Sequence, residues 1–240
     1  MPPPPKVPAN FLEILENVWW RLDTALDLEM IEWSAKLGAL DALEAGTTAI
    51  IDHHESPLAI EGSLSVIADS VNEVGVRINT TYGITDRHGT DGAARGLAEN
   101  DRYLTELASG SGGSQLGLRA GMVGVHAAFT CSDDSLAAAA DLAERHGVGV
   151  HIHVAEGLDD IGAEERIRNL TCDKWLLIHG VHLPTDHGLH GTIVHNPRSN
   201  MNNSVGYADP ARFSNRVALG TDGIGADMLS EFQLAYVKQR

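Results

Sequence analysis

The chain has 240 residues, with 33 acidic and 17 basic side chains and a formal net charge of −16. Nucleic acids and anionic membranes are bound through clustered Lys and Arg, and the sequence has no such cluster, so we expect neither as a partner. A hydrophobic fraction of 43% with 21% charged residues is typical of a globular protein, and we predict one domain over residues 1–240.

Three further features of the composition bear on function. No signal peptide and no apolar run long enough for a transmembrane helix is visible, which predicts a cytoplasmic protein. Cys131 and Cys172 stand far apart without a C-x-x-C motif, so neither a disulfide framework nor a thiolate zinc site is indicated. The 12 histidines are unusual in an acidic chain and favour metal binding or acid–base catalysis.

The N-terminal half of the sequence predicts alternating helices and strands. After an irregular proline-rich opening, MPPPPKVPAN, apolar residues at helical spacing predict helices over 11–27 and 28–45, with Trp19 and Trp20 in the core. Strands are predicted at 47–52 and 74–83, helices at 63–74 and 93–108, a polar loop at 85–92 and a flexible segment at 109–114.

The C-terminal half continues the same alternation. Ser132 is a predicted N-cap for an alanine-rich helix that ends at Gly147, and the connection over 183–190 is too short for an ordinary crossover helix. Strands are predicted within 116–130, 147–156, 174–183, 191–200 and 216–223, and helices over 160–169 and 227–240. The resulting seven strands predict an α/β fold of the (β/α)8 TIM-barrel type with one strand missing.

Titratable side chains stand at the ends of these strands. In GVGVHIHVAE (147–156), strand alternation places His151 and His153 on one face, with Glu156 just beyond the apolar run. Other strands end at further residues of the same kind: His53, His54 and Glu55, then His126, His179, His195 and Asp222. Because the active site of a (β/α) barrel lies at the C-terminal ends of its strands, we expect these side chains to share one face.

Four motifs, HVAE, LIHGVHL, HNPRSNMNNSVG and LGTDGIGADM, resemble those of the metal-dependent amidohydrolase superfamily, in particular its branch of cytosine and guanine deaminases and triazine chlorohydrolases. The resemblance implies a divalent metal, zinc by preference and iron as the alternative. It implies metal ligands at His153, His179 and Asp222, and catalytic roles for Glu156 as proton shuttle, His179 beside the metal and Asp222 as proton acceptor. Substrate contacts are implied at His126, Arg198 and Asn200.

The resemblance also implies elements that we do not expect in this sequence. Relatives carry a His-x-His pair on a first barrel strand and continue into a small β-sandwich, and we expect both to be absent here. His53 and His54 are adjacent, so they point to opposite faces of a strand and are a poor substitute for that pair. We expect His151 to pack inside the barrel and His182, His187 and His190 to lie in loops or at the surface, while His195 suits either a substrate contact or a structural cap.

The implied reaction is hydrolytic deamination of a small cyclic amidine or a purine- or pyrimidine-like molecule by a metal-activated water. Two alternatives stay open at this point. A chlorohydrolase would use the same chemistry with a different leaving group, and a barrel remnant would have no activity of its own. Because relatives often dimerise, a homodimer is also expected by analogy.

Overall fold

The computed structural model describes residues 7–110 and 118–239. The helices are α1 (Phe11–Ile14), α2 (Trp20–Asp23), α3 (Leu28–Glu44), α4 (Ser63–Val74), α5 (Gly89–Ala108), α6 (Asp133–His146), α7 (Ala163–Ile167), α8 (Pro197–Asn202) and α9 (Met228–Lys238). In the part of the chain described, none of them combines the length and apolar character needed to cross a bilayer. Residues 1–6 of the proline-rich opening and 111–114 of the predicted flexible segment lie outside the described residues.

The strands form a curled parallel sheet. They are β1 (Ala49–His54), β2 (Arg77–Ile84), β3 (Arg119–Gly121), β4 (Val123–Ala127), β5 (Val150–Val154), β6 (Leu176–His179), β7 (Thr192–His195) and β8 (Arg216–Leu219). The order is β1-β2-β4-β5-β6-β7-β8, and β3 pairs with the first part of β2 while β4 pairs with its end. Since β3 and β4 are consecutive pieces of one strand, the predicted seven strand positions and the incomplete TIM-type barrel are confirmed for the described residues.

The register of the sheet aligns the C-terminal ends of its strands. Ala127 lies opposite His153, Val154 opposite His179 and His195 opposite Leu219. Residues just beyond these positions therefore emerge at one edge of the sheet, as the barrel fold requires of an active site.

Helices α4, α5 and α6 pack against this sheet, and their ends follow local rules. The Ser132 hydroxyl accepts a hydrogen bond from the Ser135 amide at 3.2 Å, and Gly147 closes α6 in the left-handed conformation at φ 67°. Such an N-cap contributes about 1 kcal/mol. The main core lies between the strands and the helices α5 and α6, and a second cluster packs α3 and α4 against β1 and β2.

Local pattern mispredicted several element boundaries. The predicted helix 11–27 ends at Asp23 and contains a π-helical turn at Leu15–Trp19, while Asp27 caps α3 instead. Helix α5 begins at Gly89, inside the predicted loop 85–92, because a 3-10 turn at Asp86–His88 leads directly into it. The predicted helix 160–169 is reduced to Ala163–Ile167, and α8 was not predicted.

Two predicted environments were also wrong. Trp19 is 39% exposed, and Trp20 is only partly buried at a cavity wall, so neither is a core residue. His187 lies in a loop, one of the two predicted locations, and is buried there, because its Nδ1 accepts a hydrogen bond from the Leu189 amide at 2.9 Å and its ring packs against Phe213.

The two outer strands of the sheet, β1 and β8, each pair on one side only among the described residues. The loop after β8 spans part of the space between them. The Ala226 amide donates to Asp41 Oδ2 at 3.0 Å, and the Thr47 hydroxyl lies 3.4 Å from the Ala226 carbonyl oxygen. These contacts hold the loop that carries Asp222 close to β1.

Candidate active site

His153 lies inside the barrel and has one nitrogen free for a ligand. Its Nδ1 is 2.6 Å from the carbonyl oxygen of His126, which can only accept a hydrogen bond. The ring proton is therefore on Nδ1, and the Nε2 lone pair is left for another partner. A hydrogen bond of this kind fixes the tautomer of metal-binding histidines in proteins.

His179 ends β6 and shows the same arrangement. Its side chain is completely buried, and Nδ1 donates to Asn200 Oδ1 at 2.8 Å. The other nitrogen, Nε2, is buried, has no hydrogen-bond partner among the described residues, and faces Glu156 Oε2 at 3.3 Å and Asp222 Oδ2 at 3.9 Å. A buried nitrogen without a partner is costly, so this atom calls for a ligand that accepts its lone pair.

Glu156, His179 and Asp222 together form a candidate metal centre. One ligand-type atom from each lies within 4.8 Å of the other two. His179 and Asp222 are two of the three metal ligands predicted from the sequence. The third member of this group is Glu156, and the third predicted ligand, His153, lies outside the group. Imidazole nitrogen and carboxylate oxygen are the donors that a zinc site uses, so the residues present fit a divalent metal.

The two carboxylates of this group are perturbed in opposite directions. Burial, followed by the charge of Asp222, raises the pKa of Glu156 to about 8. Partial burial also acts to raise the pKa of Asp222, but the rings of His179 and His153 and the hydroxyl of Ser199 outweigh it and lower that pKa. At neutral pH, Glu156 therefore holds a proton that it can donate, while Asp222 is ionised and can accept one.

Unusual backbone conformations coincide with the site. Ala155, His179 and Asp222 have φ of 48°, 73° and 51°, in the left-handed region that residues with a Cβ rarely adopt. Ala155 immediately precedes Glu156, so each chain segment that supplies a member of the candidate metal centre is strained next to it. Such strain costs about 1–3 kcal/mol per residue and clusters at functional sites.

A cluster of histidines surrounds His153. Its ring centroid lies 4.7 Å from that of His53, 5.5 Å from His179, 5.6 Å from His126 and 5.7 Å from His151. Burial lowers the pKa of His53, His126 and His151 well below the ordinary value, so these rings are neutral at pH 7.

Sequence reasoning missed the position of His53 in this cluster. Its Nδ1 lies 3.1 Å from Nδ1 of His151, which is buried inside the barrel as predicted, whereas His54 turns to the other face and contacts Ser56. Strand alternation correctly predicted that His53 and His54 point apart, but it also required one of them to face the barrel interior.

The three predicted substrate contacts lie in different places. His126 lines the central cavity, with Nδ1 hydrogen-bonded to the Thr130 hydroxyl at 2.7 Å. Asn200 is fully buried behind His179 and holds its ring. Arg198 is directed away from the cavity and pairs with Glu231, Nε to Oε1 at 2.7 Å. His195, fully buried against Tyr207, does not line the cavity either.

The central cavity has a volume of about 920 Å³ and runs from the candidate metal centre to the helical segment that carries Trp20 and Asp23. Both Glu156 and Asp222 line it, together with His53, His126 and His153. The cavity is large enough for a bicyclic ring with a substituent.

The model of the amidohydrolase family matches residues 9–240. The chain belongs to the amidohydrolase family. Among curated relatives, the 5-methylthioadenosine/S-adenosylhomocysteine deaminase of Desulfitobacterium hafniense is 30% identical over 250 residues, covering 94% of this chain and 55% of the relative. The 5'-deoxyadenosine deaminase of Methanopyrus kandleri is 30% identical over 239 residues, covering 90% and 53%. This amidohydrolase chain thus spans about half the length of the curated relatives it matches.

Solved structures of low sequence identity share the fold. An adenosine deaminase from Xanthomonas campestris with bound zinc gives a TM-score of 0.83 at 19% identity, covering 98% of this chain and 56% of that one. A guanine deaminase from C. acetobutylicum gives 0.81 at 16% identity, covering 94% and 59%. An atrazine chlorohydrolase from Arthrobacter aurescens TC1 complexed with zinc gives 0.76 at 17% identity, covering 100% and 60%.

Proposed function

We propose that this amidohydrolase chain acts in the hydrolytic deamination of a purine-like small molecule, with zinc as the metal. The observation that carries the proposal is the placement of two carboxyl groups, Glu156 at 3.3 Å and Asp222 at 3.9 Å, next to the free Nε2 of His179. A protonated acid next to an ionised base is what the addition of water and the release of an amine require.

The metal would be held by His179 and Asp222, with His153 and Glu156 next to them. When bound, it would supply a water whose pKa falls toward about 7 and so provide a nucleophile at neutral pH. The tautomer of His179 supports a ligand role, because Nδ1 donates to Asn200 and leaves Nε2 as a lone-pair donor.

The carboxylates would then handle the protons. Asp222 accepts a proton from the attacking water as a carbon–oxygen bond forms at the carbon that carries the amino group. Glu156 donates its proton to a ring nitrogen, and Asp222 passes the proton taken from water to the amino group. Ammonia leaves as the carbon–nitrogen bond breaks, and the new hydroxyl group becomes a carbonyl by returning its proton to Glu156. Asn203 Nδ2, 3.5 Å from Glu156 Oε1, and the Ser199 hydroxyl on Asp222 keep the two carboxyl groups oriented.

The test is ammonia release by the zinc-loaded purified chain from guanine, adenosine and 5-methylthioadenosine. We expect Asp222→Asn and Glu156→Gln each to lower turnover by a factor of about 100 or more. Glu61→Gln is the matched control, since Glu61 is exposed and its ion pair with Arg95 lies at the surface. Unchanged turnover in Asp222→Asn would refute the proposal.

A chlorohydrolase is the second candidate, favoured by the fold shared with the atrazine chlorohydrolase. The same residues would act on a carbon–chlorine bond, and chloride would leave in place of ammonia. Chloride release from a chlorotriazine without ammonia release from any purine would select this candidate. A chain that binds no zinc and releases neither product would instead be a barrel without activity of its own.

A further inference from the structure

A second group of polar side chains lines the cavity outside the candidate metal centre. It comprises Trp20, Asp23, His53, Glu55 and His126, and we call it the acceptor wall. None of these residues has a part in the proton transfers described above. Their arrangement determines what kind of chemical group can lie against them.

Arg87 fixes the position of the Glu55 side chain. Its Oε2 accepts a short hydrogen bond from Nη2 of Arg87, and its side chain is 7% exposed. The other oxygen, Oε1, lies 3.8 Å from Nε2 of His53 and 3.9 Å from Nε2 of His126, both too far for a hydrogen bond. Gly83 makes room for this geometry, because a Cβ there would lie 2.5 Å from His53 Nε2 and 2.9 Å from Glu55 Oε1.

His126 adds a further acceptor to the wall. The Thr130 hydroxyl donates to the Ala127 carbonyl at 3.1 Å, so it accepts from Nδ1 of His126, and Nε2 of His126 carries a lone pair. Among the described residues, Nε2 of His53 and the indole Nε1 of Trp20 are buried without a hydrogen-bond partner. Glu55 Oε1 and Nε2 of His126 are the acceptors that the wall presents to a ligand.

Above about pH 7, where Asp23 is ionised, the acceptor wall carries an excess of negative charge. Arg87 does not line the cavity, because its guanidinium group is stacked on Trp20 at 4.3 Å and bound to Glu55 and Thr85. Asp23 adds a second carboxylate, with Oδ2 4.0 Å from Arg87 Nη2 and no hydrogen bond to it. Two carboxylates thus share one cation, and burial together with Glu55 raises the pKa of Asp23 to about 7.

We propose that the acceptor wall binds a cationic, donor-bearing group of the substrate, of the amidinium, guanidinium or ammonium class, and excludes anionic groups such as phosphate and carboxylate. A group that carries only N–H donors satisfies the free acceptors and balances the excess carboxylate. The inference rests on the proposed function only in taking this cavity as the substrate cavity.

The experiment compares three ligands of nearly equal shape and different charge: benzamidinium, benzamide and benzoate. Their affinities for the purified chain without added metal are measured by ligand-observed NMR titration at about pH 8, where Asp23 is ionised, and at constant ionic strength. We expect benzamidinium to bind about tenfold or more tightly than benzamide, and benzoate to bind weakest. Benzamide or benzoate binding as tightly as benzamidinium would overturn the proposal.

Variants locate the binding site. Glu55→Gln and Asp23→Asn should each reduce the preference for benzamidinium over benzamide by about tenfold. Glu61→Gln, an equal change of charge at an exposed position, should leave the preference unchanged and so controls for the overall acidity of the chain. Asp23 makes no hydrogen bond to Arg87, so Asp23→Asn remains informative if Glu55→Gln fails to fold. A preference that survives in both folded variants would overturn the proposal.

The outcome is independent of the deamination assay. A chain that selects benzamidinium through Glu55 but releases no ammonia would refute the proposed function and retain the acceptor wall. A chain that deaminates purines but shows no preference among the three ligands would retain the proposed function and refute the proposal for the acceptor wall.

Discussion

Replacing Glu231 by Gln tests whether Arg198 is a structural residue or a substrate contact. Glu231 is completely buried on α9 and accepts two hydrogen bonds from Arg198, one from Nε at 2.7 Å and one from the backbone amide at 3.1 Å. The guanidinium also donates to the Gly225 carbonyl at 3.1 Å. These contacts tie α8, which carries Ser199 and Asn200, to the last helix.

The expected cost follows from this geometry. A Gln side chain has one acceptor oxygen in place of two, so its amide group must face one of the donors of Arg198, and the guanidinium loses its counter-charge. Breaking a buried ion pair by removing one partner costs about 3–5 kcal/mol. Arg198 is 24% exposed, so we expect the lower end, about 3 kcal/mol, and a fall in melting temperature of about 6–12 °C.

Urea and thermal unfolding followed by circular dichroism measure this cost. In the control Glu61→Gln, the affected pair with Arg95 is exposed, and the loss should stay below about 1 kcal/mol. A free energy of unfolding for Glu231→Gln within about 0.5 kcal/mol of the parent chain would show that the pair contributes little. Arg198 would then be free to serve as the substrate contact predicted from the sequence.

Three further predictions concern the cavity. Asn200→Leu removes the acceptor that orients His179, and zinc affinity measured by competition with a chelator should fall by about 10- to 100-fold. Asp23 has a pKa raised to about 7 in the folded chain, so its contribution to stability falls as pH rises from about 4 through 7. In urea titrations, the free energy of unfolding of Asp23→Asn should therefore exceed that of the parent chain by about 2–4 kcal/mol at pH 8 and differ little from it at pH 4. Gly83→Ala should lower the free energy of unfolding by about 1–3 kcal/mol, because its Cβ would displace His53.

Local sequence pattern was sufficient for the layout of the barrel. Residues of alternating polarity predicted the strands, glycine and capping signals predicted the end of α6, and the position of polar residues after each strand predicted that Glu156, His179 and Asp222 meet. All of these follow from periodicities of a few residues. The same periodicity failed at the start of α5 and at the π-helical turn of Leu15–Trp19. Before α5, Asp86 accepts a hydrogen bond from the Ser132 amide, a contact 46 positions apart that local periodicity does not encode.

The sequence by itself thus determined the fold class and the residues at the strand ends. Only the tertiary structure decided their partners: His53 joins the histidine cluster, Arg198 is bound to Glu231, and Glu55 is held by Arg87. These pairs are separated by 32 to 100 positions in the chain. Their contacts depend on the curvature of the sheet and on the stagger of its strands, which arise from the packing of the whole chain and leave no trace in the local pattern.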